Sequence, residues 1–224
     1  VAEHDSVTRA RLLNTAARLF AARGFKTVTV RDICHEAGAN VAAVNYHFGD
    51  KLGLYNEVVG SAIQTMRETT ELARAGAAQS APEERLRTYI RIFIERVVGA
   101  QAHDGWIHQI MVREMADPTP ALDLVAERVI RPRLEYVASI VAEILGRPPD
   151  DDVVKRCVLS VQSQVHAAMP NYLARHLLPE LRDPAVLNDL AEHIARFSIA
   201  GLHDVARRLR ADARAASLPT AARG

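Results

Sequence analysis

From Asn40 to His47 the chain reads NVAAVNYH: a carboxamide, a run of methyl-bearing side chains, and a second carboxamide one turn later. The chemistry such a segment can do is reading, because its parts are hydrogen-bond donors and small apolar contacts. The major groove of B-DNA is about 12 Å wide and admits one α-helix, and small side chains let the helix backbone come close. Val41, Ala42 and Ala43 meet that need, and their methyls suit thymine methyls. Asn45 carries an amide of the kind that bridges an adenine edge. Two plainer readings stay open: Asn45 as a surface amide with no base contact, and Val41–Ala43 as core. Val44 and Phe48 already supply an apolar face to that helix, four residues apart.

Other chemistry finds little footing. No P-loop, GxSxG or HExxH pattern is present, and His103, His108, His166 and His176 have no paired nucleophile. An enzyme is therefore not expected. His108, His166 and Glu114 lack metal-site spacing, so neither a metal nor another cofactor is expected. Cys34 and Cys157 are far apart and set among apolar residues, which suits small buried hydrophobes. The 224-residue chain has a formal charge of only +1, so binding to a polyanion needs a local patch. Between Arg9 and Lys51, the cations Arg9, Arg11, Arg18, Arg23, Lys26, Arg31 and Lys51 face only Asp32, Glu36 and Asp50. That excess fits a phosphate-facing surface, although the same charges would also merely solvate helices.

The elements that must position Asn40–His47 are all helical, and the fold class expected is all-α. A first helix over about Ser6–Arg23 turns Leu13, Ala16, Ala17 and Phe20 inward and ends at Gly24. Thr29 is a good N-cap with Asp32 three residues on, and Val30, Ile33, Cys34 and Ala37 recur at i, i+3, i+4, i+7. Gly38 ends that helix, Asn40 caps the next, and Gly49-Asp50 separates it from a fourth helix, Lys51 to about Ala73. A helix, a tight turn and a second short helix make a helix-turn-helix.

Beyond it, 75–81 is a weak linker. A helix capped by Ser80, with Pro82 and Glu83, runs to 103–105, and a short helix spans Trp106–Ala116. Thr119 and Pro120 start a helix that reaches about Leu145, with Pro132 kinking it near Ile130. An eighth helix opens at 150–152, and the last long one spans about Pro184–Arg210. No run of about 18 apolar residues exists and the N-terminus has no apolar leader, so a soluble cytoplasmic protein is expected.

Gly24-Phe25, Thr29-Val30-Arg31-Asp32-Ile33, Ala37-Gly38 and Val44-Asn45-Tyr46-His47-Phe48-Gly49-Asp50-Lys51 resemble the DNA-binding domain of TetR-family transcriptional regulators, over roughly residues 6–60. The resemblance implies a homodimer on an inverted-repeat operator in double-stranded DNA, with Asn40–His47 as recognition helix. It places Thr29, Tyr46, His47 and Lys51 at phosphate-clamping positions and Arg31 at a base- or phosphate-reaching one. Tyr46 and His47 packing on the first helix is the competing reading. Further on, Arg113-Glu114-Met115, Asp117-Pro118-Thr119-Pro120-Ala121-Leu122 and Val129-Ile130-Arg131-Pro132-Arg133 resemble the effector domain of the CecR-type (YbiH-like) branch.

That branch implies a ligand-responsive regulator, most simply a repressor released by a small molecule; a regulator without effector, or an activator, is the alternative. Candidate pocket residues between the middle helices are Phe93, Trp106, His108, Gln109, Met111, Arg113, Tyr136, Gln162, His166, Met169 and Tyr172, with an Arg113–Glu114 ion pair as another use of Arg113. A dimer seam is expected along Val161, Leu187, Leu190, Ile194, Phe197, Gly201 and Val205, with intrachain core as the alternative. The expected division is 1–50 for DNA, 51–211 for effector and dimerisation, and a disordered tail, 212–224.

Overall fold

The computed structural model describes residues 2–98, 105–169, 172–181 and 183–217, side chains of 2–4, 172, 175, 216 and 217 excepted. Among these residues every regular element is helical: α1 Ala2–Arg23, α2 Val30–Ala37, α3 Val41–Phe48, α4 Lys51–Gly76, α5 Pro82–Val97 and α6 Trp106–Ala116. Then come α7 Ala121–Val125, a π-helical stretch Ala126–Ile130, α8 Arg131–Leu145, α9 Asp152–Ala167, α10 Tyr172–Leu177 and α11 Pro184–Ser217. Packing divides the chain into two compact units, Val1–Glu68 with Ala102–Arg131, and Thr69–Gln101 with Pro132–Gly224.

The first unit is built on α1. Leu12, Ala16 and Phe20 meet Ile33, Cys34 and Ala37 of α2, Val44 and Phe48 of α3, and Leu54, Tyr55, Val58 and Val59 of α4, all buried. Burying each large aliphatic chain of this set contributes about 1.5–3 kcal/mol. Leu12 rather than Leu13 lies at the centre, with Leu13 half-buried beside it. Ile110, Ala121, Val125 and Val129 complete the same core. Packing thus does not divide at residue 50: α6, α7 and the π-helical stretch belong with α1–α3 and most of α4. Contacts between residues so distant in sequence leave no mark in the order of the helices.

In the second unit α11 lies against α5 and α9. Tyr89, Ile90, Phe93 and Ile94 of α5 meet Val137, Ile140 and Val141 of α8, Val154, Val158, Val161 and Val165 of α9, and Leu187, Ile194 and Leu202 of α11. Arg133 is buried here with its guanidinium carbon 4.9 Å from the Phe93 ring centroid, and burial holds its pKa below the usual arginine value.

Several boundaries differ from the sequence expectation. Ala81, not Ser80, precedes α5 and makes no side-chain cap; Pro82 stands at the first turn, where its missing N–H costs nothing. Pro120 rather than Thr119 stands at the N-cap position of α7, although the Thr119 hydroxyl, bonded to Glu114, still accepts from the Ala121 amide at 3.2 Å. Pro132 produces no break. The wider π-helical turns just before it absorb the lost backbone bond, and α8 runs on from Arg131. Residues 212–217 continue α11 as helix rather than beginning a tail, while 218–224 lie outside the described residues. The expected end of the fifth helix at 103–105 falls largely outside them too; α5 closes at Val97.

Candidate nucleic-acid interface

Helix α2 opens on a capping box. The Asp32 amide donates to Thr29 Oγ1 at 3.1 Å, and the Thr29 amide donates to Asp32 Oδ2 at 2.9 Å. Thr29 Oγ1 also donates to that carboxylate at 2.7 Å. These bonds, the side-chain one first, hold the Asp32 carboxyl below its ordinary pKa of 3.8. The Thr29 hydroxyl is thereby committed within its own chain. Arg31, next to it, is exposed. Gly38 closes α2 at φ 60°, a left-handed value that suits glycine.

Helix α3 follows at once. Asn40 Oδ1 accepts from the Ala43 amide at 2.8 Å, which satisfies one first-turn donor and fixes the entry angle. Val44 and Phe48 anchor one side in the core. The opposite side is exposed: Val41, Ala42, Asn45 and Tyr46, at i, i+1, i+4, i+5, form one stripe, with Tyr46 76% exposed. Ala43 is half-buried against the core, so the methyls offered outward are those of Val41 and Ala42.

His47 turns the other way. Its side chain is 7% exposed, and Nε2 lies 3.4 Å from Asp5 Oδ1 on α1. Its ring also lies against Tyr46 and Phe48, with centroids 4.9 and 5.9 Å away. The helical register carries position 47 toward α1, and without DNA its side chain packs on the first helix. Lys51 is half-buried with Nζ 4.5 Å from the Phe25 ring centroid, a cation–π contact that holds the ammonium at the base of α4.

Sequence reading missed Gly53. A Cβ there would stand 2.0 Å from the carbonyl oxygen of Phe48, so α4 starts tight against the last turn of α3. Asp50 Oδ1 accepts from the Gly53 amide at 2.7 Å and caps α4 at that point. The usable signal was an isolated glycine inside a helical pattern, which marks close backbone approach.

The pocket candidates fall into both units. In the first, Trp106 and Met111 are half-buried on its core, His108 is half-buried and Gln109 exposed. Arg113 is engaged within its own unit. Its Nε donates to Ala21 O at 2.7 Å and its Nη2 to Ala22 O, covering the terminal carbonyls of α1 where a cation meets the negative end of the helix dipole. The Arg113–Glu114 pairing does not form: Glu114 accepts from Tyr55 and Thr119 instead. A cavity of about 210 Å³ opens beside them, lined among others by Phe20, Phe25, Tyr55, Ile110, Arg113 and Glu114.

In the second unit Phe93, Tyr136 and Gln162 are buried, Met169 is half-buried and His166 is exposed. Tyr136 donates to Ala73 O at 3.3 Å, and Gln162 and the Tyr89 hydroxyl bond each other at 3.0–3.1 Å. His166 Nδ1 is 2.7 Å from Gln162 O and its ring centroid 5.7 Å from that of Phe93. Tyr172 lies in α10, its side chain outside the described residues.

The residues expected along the seam divide by burial. Val161, Leu187 and Ile194 are buried within their own chain, and Leu190 and Val205 are half-buried on the same core. Their stripe is consumed by α5 and α9. Phe197 and Gly201 stay outward, Phe197 at 65%, and Leu159 on α9 is 68% exposed. Gln164 Nε2 ties α9 to Ser198 of α11 at 3.3 Å.

Family comparison covers this short N-terminal helix pair and the helices that follow it. The profile for bacterial regulatory proteins of the tetR family fits residues 12–58, and that for the C-terminal domain of the HTH-type transcriptional dual regulator CecR fits residues 82–202. The chain belongs to the TetR family of transcriptional regulators. It is a regulator with a DNA-binding domain and no enzyme.

The CecR dual regulator of Shigella flexneri is 29% identical over 133 residues, 55% of this chain and 58% of that protein, so the match spans little more than half of the relative's length. A TetR-family regulator from Streptomyces coelicolor shares the fold with a TM-score of 0.65 at 23% identity, over 88% of this chain and 90% of its own. The ketosteroid transcriptional regulator of Mycobacterium tuberculosis does so at 0.63 and 18%, over 86% and 93%. Among the described residues no helix is long and apolar enough to cross a membrane, and no group of His, Cys, Asp and Glu is placed to hold a metal.

Proposed function

We propose that this TetR-family protein is a homodimeric repressor that reads an inverted-repeat operator in the cytoplasm and is released from it by a small molecule. The observation that carries the reading is the exposed stripe Val41, Ala42, Asn45 and Tyr46 on a short helix anchored from behind by Val44 and Phe48. In this reading Asn45 takes an adenine edge, Val41 and Ala42 touch thymine methyls, and Arg31 with Tyr46 engages the backbone. The first unit reads DNA. The second unit pairs with its copy through the outward faces of α9 and α11, around Leu159, Phe197 and Gly201, and holds the effector among Phe93, Tyr136, Gln162, His166 and Met169. Ligand release requires that the effector bind the two states unequally.

A second reading, activation at some promoters, has one observation behind it: the Shigella flexneri relative is named a dual regulator. Selection of random duplex DNA by the purified protein, read by sequencing, tests the proposal. An enriched inverted repeat with half-sites about one helical turn or slightly more apart is the expected result. Enrichment of a single unrepeated half-site refutes the dimeric operator, and no enrichment at low salt refutes the reading face itself. Placing the repeat over or upstream of the promoter distinguishes repression from activation.

A further inference from the structure

We propose that Glu114 is a positioning residue for operator reading, setting the angle of α4, and through it α3, by way of the Tyr55 hydroxyl. Glu114 is 2% exposed, and its carboxylate is surrounded by donors. The Tyr55 hydroxyl donates to Oε1, the Thr119 amide donates to Oε2 at 3.0 Å, and Thr119 Oγ1 lies 3.0 Å from both oxygens. Burial first, and then the bond to Glu114, push the Tyr55 phenol well above its ordinary range, so it stays a donor at every working pH.

Stability alone does not call for this arrangement. A buried carboxylate costs free energy that an apolar chain of the same size would not, even when its oxygens are satisfied. What the carboxylate adds is direction, since each bond fixes a distance and an angle that apolar contact leaves loose. The elements so fixed are those that carry the reading face. Tyr55 stands one turn after Lys51 at the start of α4, with its ring centroid 4.7 Å from that of Phe25, over which Lys51 lies. The start of α4 is in turn locked against the end of α3 by Gly53. The adjacent Arg113 grips the last carbonyls of α1. Two neighbouring side chains on the last turns of α6 therefore hold α1 and α4 at once, each by a charged hydrogen bond.

The inference rests on the operator reading above, and its test separates the two. Wild type, Glu114→Gln, Tyr55→Phe and the double variant are titrated against the repeat that wild type selects and against a random duplex of equal length, well below each variant's own melting midpoint. Each single variant is expected to lose about tenfold in operator affinity. Random-duplex affinity should stay within about twofold, and the double variant should be no worse than the weaker single one, since both disturb the one Tyr55–Glu114–Thr119 cluster. A purely structural role would lower the melting midpoint without changing the operator-to-random ratio of folded protein. An unchanged ratio, or losses that multiply in the double variant, overturns the proposal. Tyr55→Phe keeps the ring packed and decides the matter alone if Glu114→Gln does not fold. Failure of wild type to select any repeat overturns the operator reading, and this inference with it.

Discussion

Replacing Gly53 by alanine should destabilise the first unit, whereas the same replacement at Gly60, two turns along the same helix, should stabilise it. At Gly53 the added Cβ meets backbone: the Phe48 carbonyl oxygen at 2.0 Å and its carbon at 3.2 Å. An ordinary carbon–oxygen contact is about 3.3 Å, so the shortfall is about 1.3 Å and no flexible side chain can absorb it. The first turn of α4 must move off α3, straining packing by about 1–3 kcal/mol. It must also loosen the Asp50 cap, now 2.7 Å from the Gly53 amide, for about another 1 kcal/mol. The sum, about 2–4 kcal/mol, corresponds to a melting midpoint lower by about 4–16 °C. At Gly60 nothing lies within 4 Å of the added Cβ. The gain there is about 0.4–1 kcal/mol, from the lower entropy of the unfolded chain. The assay is built in: the single tryptophan, Trp106, packs on the core of the first unit and reports its unfolding by fluorescence. Equal shifts for the two variants, within about 0.5 kcal/mol, would refute the contact argument.

Three further outcomes follow from named contacts. Asn45→Ala should cost about 1–3 kcal/mol on the selected repeat and relax base preference at one position per half-site, checked by repeating the selection with the variant. Phe197→Glu should shift the protein from dimer to monomer in sedimentation at micromolar concentration while leaving Trp106 fluorescence unchanged, because the side chain is 65% exposed in one chain. The Asp32 carboxyl is held below its ordinary value of 3.8 by Thr29. Its contribution to stability is therefore full above that value and is lost as pH falls through the lower folded one. Asp32→Asn should flatten the acid limb of the stability curve, read by unfolding midpoints between neutral pH and pH about 2.

The parts legible in the sequence were those whose rules are local. Thr29 with Asp32 and Asn40 with Ala43 are bonds over three residues, and spacing alone announces them. The inward set Ile33, Cys34, Ala37, Val44 and Phe48 follows from the 3.6-residue repeat. The outward stripe of α3 follows as its complement, apart from Ala43, which sits at the border of the two faces. The contact of His47 with Asp5 was not legible, because Asp5 stands on another helix, where no spacing rule reaches.

The chain's order of residues by itself determined that α1 to α4 exist, where α2 and α3 start and stop, and which side of each is apolar, because helix caps and helix periodicity act over one or two turns. Only the tertiary structure decided what each apolar side meets. The Leu187–Ile194 stripe has the spacing of a seam between subunits, yet α5 and α9 of the same chain occupy it, and a period is identical whichever partner fills it. In the same way nothing local ties Glu114 to Tyr55, 59 residues away, or Arg113 to the end of α1. Those bonds exist because the core of the first unit brings α6 beside α1 and α4, and a buried charge must then find its donors or acceptors there.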